Sequence, residues 1–169
     1  MKIGIISDTH DQIKTIKKAV NLLNEEKVEL VFHCGDWVSP FSLFYYKDLK
    51  CPIKGIFGNN DGDKFRHIER AKLYGVDVAY EDRFISTEVD GRKIAIFHGD
   101  YEEIIDALLK SQMYDAVFYG HNHIKKIKTI GKTLSVNPGT FMPETAPDVK
   151  GASFAIYDSS CNTAQLVDL

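Results

Sequence analysis

Lys2-Ile3-Gly4-Ile5-Ile6 is a short apolar run that stops at Ser7-Asp8-Thr9-His10. That junction constrains the fold more than any other stretch. A run without polar alternation predicts a strand buried on both faces, as parallel strands are. Asp8 and His10 follow it, separated by one residue. In an extended segment residues i and i+2 point the same way. A carboxylate and an imidazole are therefore expected to aim at one point just beyond a strand end, where open α/β sheets place their ligands. The arrangement recurs along the chain. Glu29 to His33 leads to Gly35-Asp36, and Ile53 to Phe57 leads to Gly58-Asn59. Arg92 to Phe97 leads to His98-Gly99, and Ala116 to Tyr119 leads to Gly120-His121-Asn122-His123.

Between these strands the apolar spacing turns helical. Asp11 is placed to cap a helix over Gln12 to Lys27, with Ile13, Ile16, Val20 and Leu23 inward. Ser39-Pro40 predicts a second helix start, running to Lys50 with Phe41, Phe44 and Tyr45 inward. A polar helix is expected over Lys64 to Tyr74, with Phe65, Ile68 and Ala71 on one face. Asp100 and Glu103 have capping-box spacing for a helix over Tyr101 to Gln112. Its core face would be Ile104, Ile105, Leu108 and Leu109.

Asp90-Gly91 predicts a tight hairpin between Phe84 to Val89 and Arg92 to Phe97. Two further hairpins pair Lys125 to Ile130 with Thr133 to Val136, and Ser153 to Asp158 with Thr163 to Val167. Phe141 to Lys150 lacks periodicity and reads as an exposed loop. The front half thus argues for parallel strands and the back half for antiparallel ones. One mixed sheet or two packed sheets both fit, in a single domain over residues 1–169.

The 169 residues suit one sizeable core, and 44% apolar with 27% charged residues suits an ordinary globular protein. A net charge of −3 leaves no basic footprint for an extended nucleic-acid surface. No apolar run is long enough for a membrane span, and the N-terminal run is too short for a secretory leader. Cys34, Cys51 and Cys161 are scattered and odd in number, as expected of reduced thiols in the cytoplasm. Cys34 reads as a small buried apolar group.

Seven O- or N-donor side chains follow the five strands: Asp8, His10, Asp36, Asn59, His98, His121 and His123. Taken singly, Asp8, Asp36 and Asn59 are ordinary turn formers or helix caps. Histidines recurring at three strand ends, two of them beside glycine, need a different explanation, and convergence on one metal site accounts for all seven. The absence of thiolates from the set argues against a cysteine-rich structural zinc site. Carboxylate, imidazole and amide donors suit manganese foremost, then nickel, iron, zinc or cobalt. Seven donors are too many for one such ion and fit two, sharing a carboxylate. Pairs of this kind are the usual engine of phosphate-ester hydrolysis. Two divalent ions against two carboxylates leave the site net positive, which suits an anionic substrate.

Asp8-x-His10, Gly35-Asp36, Gly58-Asn59, His98-Gly99 and Gly120-His121-x-His123 together resemble the calcineurin-like metallophosphoesterase superfamily. Asn137-Pro138-Gly139-Thr140 extends the resemblance to its small, cap-free bacterial and archaeal phosphodiesterase branch. The resemblance implies an α/β fold in which mixed β-sheets pack as a sandwich flanked by helices. It implies one metal held by Asp8, His10, Asp36 and His123, and another by Asp36, Asn59, His98 and His121. Asp36 would bridge them. A metal-bridging hydroxide would then attack a small phosphate-ester substrate.

One position departs from the superfamily pattern. Where a histidine commonly follows the ligand asparagine, this chain has Asn60, assigned here to the catalytic set with Asp36. An amide donates a hydrogen bond but transfers no proton at ordinary pH. Among nearby residues, Trp37 and His33 are expected in the core and His67 in solvent. Phe141-Met142-Pro143 either lines the pocket or covers the sheet edge. A phosphomonoesterase or protein phosphatase could use the same site. The chain is also similar to the metallophosphoesterase-like scaffold subunit of the retromer coat, which uses this fold for protein contacts but lacks part of the histidine set. A homo-oligomer stays open.

Overall fold

The computed structural model describes residues 1–144 and 149–169. In chain order the elements are β1 (Lys2–Ile6), α1 (Ile13–Glu25), β2 (Leu30–His33), a 3-10 helix (Ser42–Tyr46), β3 (Ile53–Gly55) and α2 (Lys64–Tyr74). Then come β4 (Val78–Tyr80), β5 (Phe84–Val89), β6 (Arg92–Phe97), α3 (Glu102–Ser111) and β7 (Ala116–Phe118). The chain closes with β8 (Lys126–Ile130), β9 (Thr133–Asn137), β10 (Ser153–Asp158) and β11 (Thr163–Asp168). No helix among the described residues is long and apolar enough to cross a membrane.

Of the two arrangements open to the sequence, the chain adopts two packed mixed sheets. One has the order β11-β10-β1-β2-β3-β4, the other β5-β6-β7-β9-β8. Strands β1 to β4 run parallel, with Ile3 opposite Leu30 and Val31 opposite Ile53. The back half is less antiparallel than its hairpins suggest, because β6, β7 and β9 are parallel neighbours. β4 leaves no mark in the sequence. Three residues are too few to show alternation.

The side-chain period of two sorts the core into three layers. Ile3 and Ile5 of β1 point between the sheets, where they join Phe32, Ile94, Ile96, Phe118 and Tyr157. Ile6 points the other way, toward Ile16, Val20 and Leu23 of α1. Beyond the second sheet, Ile105 and Leu109 of α3 cover Ala95, Phe97 and Val117. Both faces of β1 are therefore buried, which is why its sequence shows no alternation.

Several local expectations give way to tertiary contacts. Gln12, not Asp11, occupies the N-cap position of α1, without a side-chain cap bond. The Asp11 carboxylate instead accepts from Ser39 N–H at 3.1 Å. The segment after Pro40 forms only a 3-10 helix, burying Ser42, Leu43 and Tyr46. Phe41 and Phe44 face solvent, because a period of three selects a different face from 3.6. On α2 the inward face is His67 and Ala71, while Phe65 and Ile68 are exposed. His67 is fully buried, contrary to its expected exposure. Its ring packs against Phe57, Trp37 and Tyr80, so aromatic surface outweighs its polarity. α3 buries Ile105 and Leu109 but exposes Ile104, and Asp100 pairs with Arg83 instead of capping. Phe141 and Val149 are buried, so those parts of the expected exposed loop are core. Residues 145–148 of it lie outside the described residues.

Phe118 is fully buried between the sheets, with ring centroids 5.9 Å from Phe32 and 5.2 Å from Tyr157. Phe118→Ala should cost about 3–5 kcal/mol of stability. The check is a lower urea midpoint at unchanged slope; an unchanged midpoint would mean that the inter-sheet core does not carry the fold.

Candidate metal centre

The parallel strands β1, β2 and β3 of one sheet and β6 and β7 of the other all end at one rim. Main-chain bonds stitch the exits together. Asp8 N–H donates to Gly35 O at 3.0 Å, His10 N–H to Asp36 O at 3.2 Å, and Gly120 N–H to His98 O at 2.8 Å. All seven candidate donors arrive there.

On one side, His10 Nε2 and His123 Nε2 face each other at 3.1 Å. Asp8 Oδ1 lies 3.3 Å from His123 Nε2 and 3.8 Å from His10 Nε2. On the other side, Asn59 Oδ1 lies 2.9 Å from His98 Nε2 and 3.0 Å from His121 Nδ1. Asp36 Oδ2 stands between the groups, 3.6 Å from His10 Nε2 and 3.4 Å from His98 Nε2. Two metal-type triads emerge, Asp8-His10-His123 and Asp8-Asp36-His98.

The donors fit a cation. Asp8 Oδ1 is buried and makes no hydrogen bond of good geometry, a costly state for a carboxylate oxygen. Its partner Oδ2 is committed to Ser7 Oγ and to His121 N–H. His98 Nδ1 lies 2.8 Å from Cys34 O and must donate there, leaving Nε2 with its lone pair toward Asn59 and Asp36. A carbonyl fixing the tautomer in this way is the usual outer support of a metal-binding histidine.

The backbone is bent to reach this arrangement. Asp8, His10, Asp36, His121 and His123 have φ between +41° and +70°. The expectation that Asp8 and His10 converge through an extended segment is therefore corrected, since β1 ends at Ile6 and both residues are left-handed. Asp, Asn and His tolerate that region better than most residues. Val38, at φ +78°, is β-branched and does not. Such residues cost on the order of 1–3 kcal/mol each and persist where their surroundings over-determine them. Two glycines permit the closest approaches: a Cβ on Gly58 would overlap Asp36 Oδ1, and one on Gly120 would overlap Asp8 Oδ2.

Bonds from residues outside the donor set supply the over-determination. Asp61 accepts from Asp36 N–H at 2.9 Å, Gly58 N–H at 2.7 Å and Val38 N–H at 2.7 Å. Thr140 Oγ donates to Asp8 O at 2.8 Å. Arg83 donates to Gly58 O at 3.1 Å and pairs with Asp100, joining the loops after β3 and β6. No spacing signal marks Arg83. Asp61 was visible only as the residue after Asn60. Asn60 itself donates from its side chain to Asp36 Oδ2 at 2.7 Å and from its backbone to Oδ1 at 2.9 Å.

Beneath the rim, His33 is buried as expected. It accepts from Gly35 N–H through Nδ1 at 3.1 Å and stacks on Trp37 with centroids 3.4 Å apart. Burial pushes its pKa well below the ordinary value, so it is neutral. Trp37 is core, donating to Ile56 O at 2.9 Å. Phe141 is buried against the first sheet.

Electrostatics at the rim are strongly coupled. Burial would raise the Asp8 carboxyl, but His10 and His123 more than offset it and hold it below the usual range. Burial likewise opposes ionisation of Asp36, and His98 and Asn60 overcome it. The Asp8 carboxylate raises His10 against burial. His98 is lowered by burial but raised further by Asp36 and Asp8.

Comparison with known proteins finds relatives over most of the chain. The family model described as "Calcineurin-like phosphoesterase superfamily domain" matches residues 1–161. A phosphodiesterase of Methanocaldococcus jannaschii is 41% identical over 139 residues, covering 82% of this chain and 83% of the relative. The solved structure of an archaeal phosphodiesterase superimposes with a TM-score of 0.89 at 36% identity over the whole of both chains. Zinc-bound Vps29 of Entamoeba histolytica shares the fold, with a TM-score of 0.72 at 17% identity over 99% of each chain.

Two outcomes follow. Asp61→Asn should weaken divalent-metal binding about 10–100-fold, the usual cost of removing an outer support, in a chain that still folds. Calorimetric titration with manganese measures this, and unchanged affinity would remove Asp61 from the site. The second outcome concerns pH. His10 and His98 have raised values, so their contribution to stability is complete below about 6.5 and is lost as pH rises through their folded values. Asp8 and Asp36 have depressed values, so theirs is present above about 4 and is lost as pH falls through the folded values. Metal-free protein should therefore melt at lower temperature at pH 8.5 than at pH 5.5, and zinc should reverse the order, because the imidazoles bind metal only when deprotonated and so bind it more tightly at the higher pH. Equal melting temperatures without metal would mean that these imidazoles titrate as in a free chain.

Proposed function

The chain belongs to the calcineurin-like phosphoesterase superfamily, and on that premise we propose that it is a phosphodiesterase working with two divalent transition-metal ions. The observation that carries this reading is the position of Asp36 Oδ2, within 3.6 Å of a histidine from each donor group. Asp8, His10, Asp36 and His123 would hold one ion, and Asp36, Asn59, His98 and His121 the other. When bound, such ions polarise phosphoryl oxygens and lower the pKa of water enough to supply a nucleophile near neutral pH. A donor set of oxygen and imidazole nitrogen without thiolate favours manganese, with nickel, iron, zinc and cobalt as alternatives. The three cysteines are free, which suits a reducing compartment such as the cytoplasm.

The chain's own residues complete the reaction. Asn59 and His121 are exposed while Asp8, Asp36 and His98 are buried, so a substrate approaches from the Asn59–His121 side. Asn60 fixes the Asp36 carboxylate and can offer an N–H to a phosphoryl oxygen, but it has no proton to transfer. Esters with good leaving groups are therefore its readiest substrates.

The test is hydrolysis of bis(4-nitrophenyl) phosphate and 4-nitrophenyl phosphate by protein reloaded with each candidate metal. The diester should be preferred, chelator should abolish turnover, and metal analysis should find close to two ions per chain. Faster monoester hydrolysis would favour a phosphomonoesterase. Asp36→Asn should remove more metal and more activity than His123→Ala, because it would weaken both positions. Two retained ions and near-native rates in Asp36→Asn would overturn the bridging role.

A further inference from the structure

A cavity of about 560 Å3 opens beside the rim, between α3 and β8 on the outer side of the five-stranded sheet. His121 forms part of its wall together with Gly99 and Gly120, so it adjoins the proposed metal positions. Gly99 keeps that wall thin, since even a Cβ there would sit 3.2 Å from Gly120 O and 3.5 Å from His121 Cβ. The volume lies within the range of about 300–1,000 Å3 typical of small-molecule sites. It is far more space than a phosphate needs.

The lining has a definite chemistry. The floor is Ile105, Leu109 and the ring of Tyr119. The α3 flank carries Glu102 and Glu103, and the β8 flank carries Lys126 and Lys128. Asp106 also lines the cavity, but it is paired with Lys110. None of the other four charges forms an ion pair among the described residues. Acceptors thus stand on one side, donors on the other, and apolar surface lies between them. The uncommitted charges balance, so the cavity neither attracts nor repels net charge. A flat ring fits the floor, and groups that both donate and accept, such as sugar hydroxyls, can be read by both flanks.

We propose that this cavity is the subsite for one organic ester substituent of the phosphodiester. It takes an uncharged, hydroxylated group of about nucleoside size. The proposal rests on reading the rim as a phosphodiesterase centre. It makes Glu103 and Lys128 specificity-determining residues outside the metal set.

The test compares thymidine 5′-(4-nitrophenyl) phosphate with methyl 4-nitrophenyl phosphate. Both release the same nitrophenolate and differ only in the retained substituent. The thymidine ester should be preferred at least about tenfold in kcat/KM, chiefly through KM, as expected when binding energy comes from a remote group. Lys128→Trp and Glu103→Trp fill the cavity from opposite flanks at exposed positions. Each should bring the preference close to one while leaving the methyl ester within about twofold of native. An unchanged preference, or equal loss on both esters, would overturn the subsite.

If the native protein hydrolyses neither ester, the phosphodiesterase reading fails. The subsite is then judged by titrating thymidine 5′-methyl phosphate into zinc-loaded, 15N-labelled protein. Amide shifts at Gly99, Lys126 and Lys128 would uphold it, and their absence would reject it.

Discussion

The packing of the two sheets face to face is the contact on which everything else depends. Ile3, Ile5 and Phe32 of one sheet meet Ile94, Ile96 and Phe118 of the other in a continuous apolar layer. That layer sets the sheets in a relation where five parallel strands, three from one and two from the other, end at the same rim. No single sheet could deliver the seven donors. Burial of apolar surface, at roughly 25 cal/mol per Å2, thereby positions polar groups that would not assemble unaided. Asp8, Asp36 and His98 are almost wholly removed from water, and only charge and hydrogen bonding among themselves make that tolerable.

Local strain is concentrated where the sheets meet the rim. Five donors and Val38 have left-handed backbones. What holds them is a set of bonds from outside the donor set. Asp61 gathers three backbone N–H groups from the loops after β2 and β3. Thr140 ties down the Asp8 carbonyl, and Arg83 spans the loops after β3 and β6. His98 reaches across to Cys34 O, so the second sheet is anchored to the first beside Asp36. A centre built this way is preorganised, since the strain is met by folding and not at the moment of binding.

The centre is deep on the Asp8 side and open on the Asn59–His121 side. On the proposed reading such a site would reach any phosphate ester able to approach, and selectivity would have to come from surfaces next to it. The cavity between α3 and β8 adjoins the donors through His121, which with Gly99 and Gly120 forms part of its wall, and it is the surface proposed for that role. Asn60 adds a second restriction, because its amide is already bonded to the Asp36 carboxylate and has no proton to give.

Much of this was legible in the sequence. The donors could be listed because metal chemistry restricts side-chain types, and because apolar runs that stop at glycine or at a polar turn mark strand exits whatever the fold. Hairpin positions followed from Asp90-Gly91 and Gly131-Lys132, whose backbone demands are local. What could not be read was anything set by contacts distant along the chain. Asp11 and Asp100 have the chemistry of helix caps, yet Ser39 and Arg83 claim them. His67 looks like a solvated helix residue until Trp37, Tyr80 and Phe57 close around it. Phe41, Phe44 and Phe65 look like core, but the helices turn other faces inward. The sequence by itself determined which groups could bind metal and where the chain would turn, since both depend on residue chemistry and on neighbours a few positions away. Only the tertiary structure decided that two sheets share one rim, that Asp36 stands between two donor groups and that Asp61 holds them. Those are distances between residues up to more than a hundred positions apart, and they are set by how apolar faces pack.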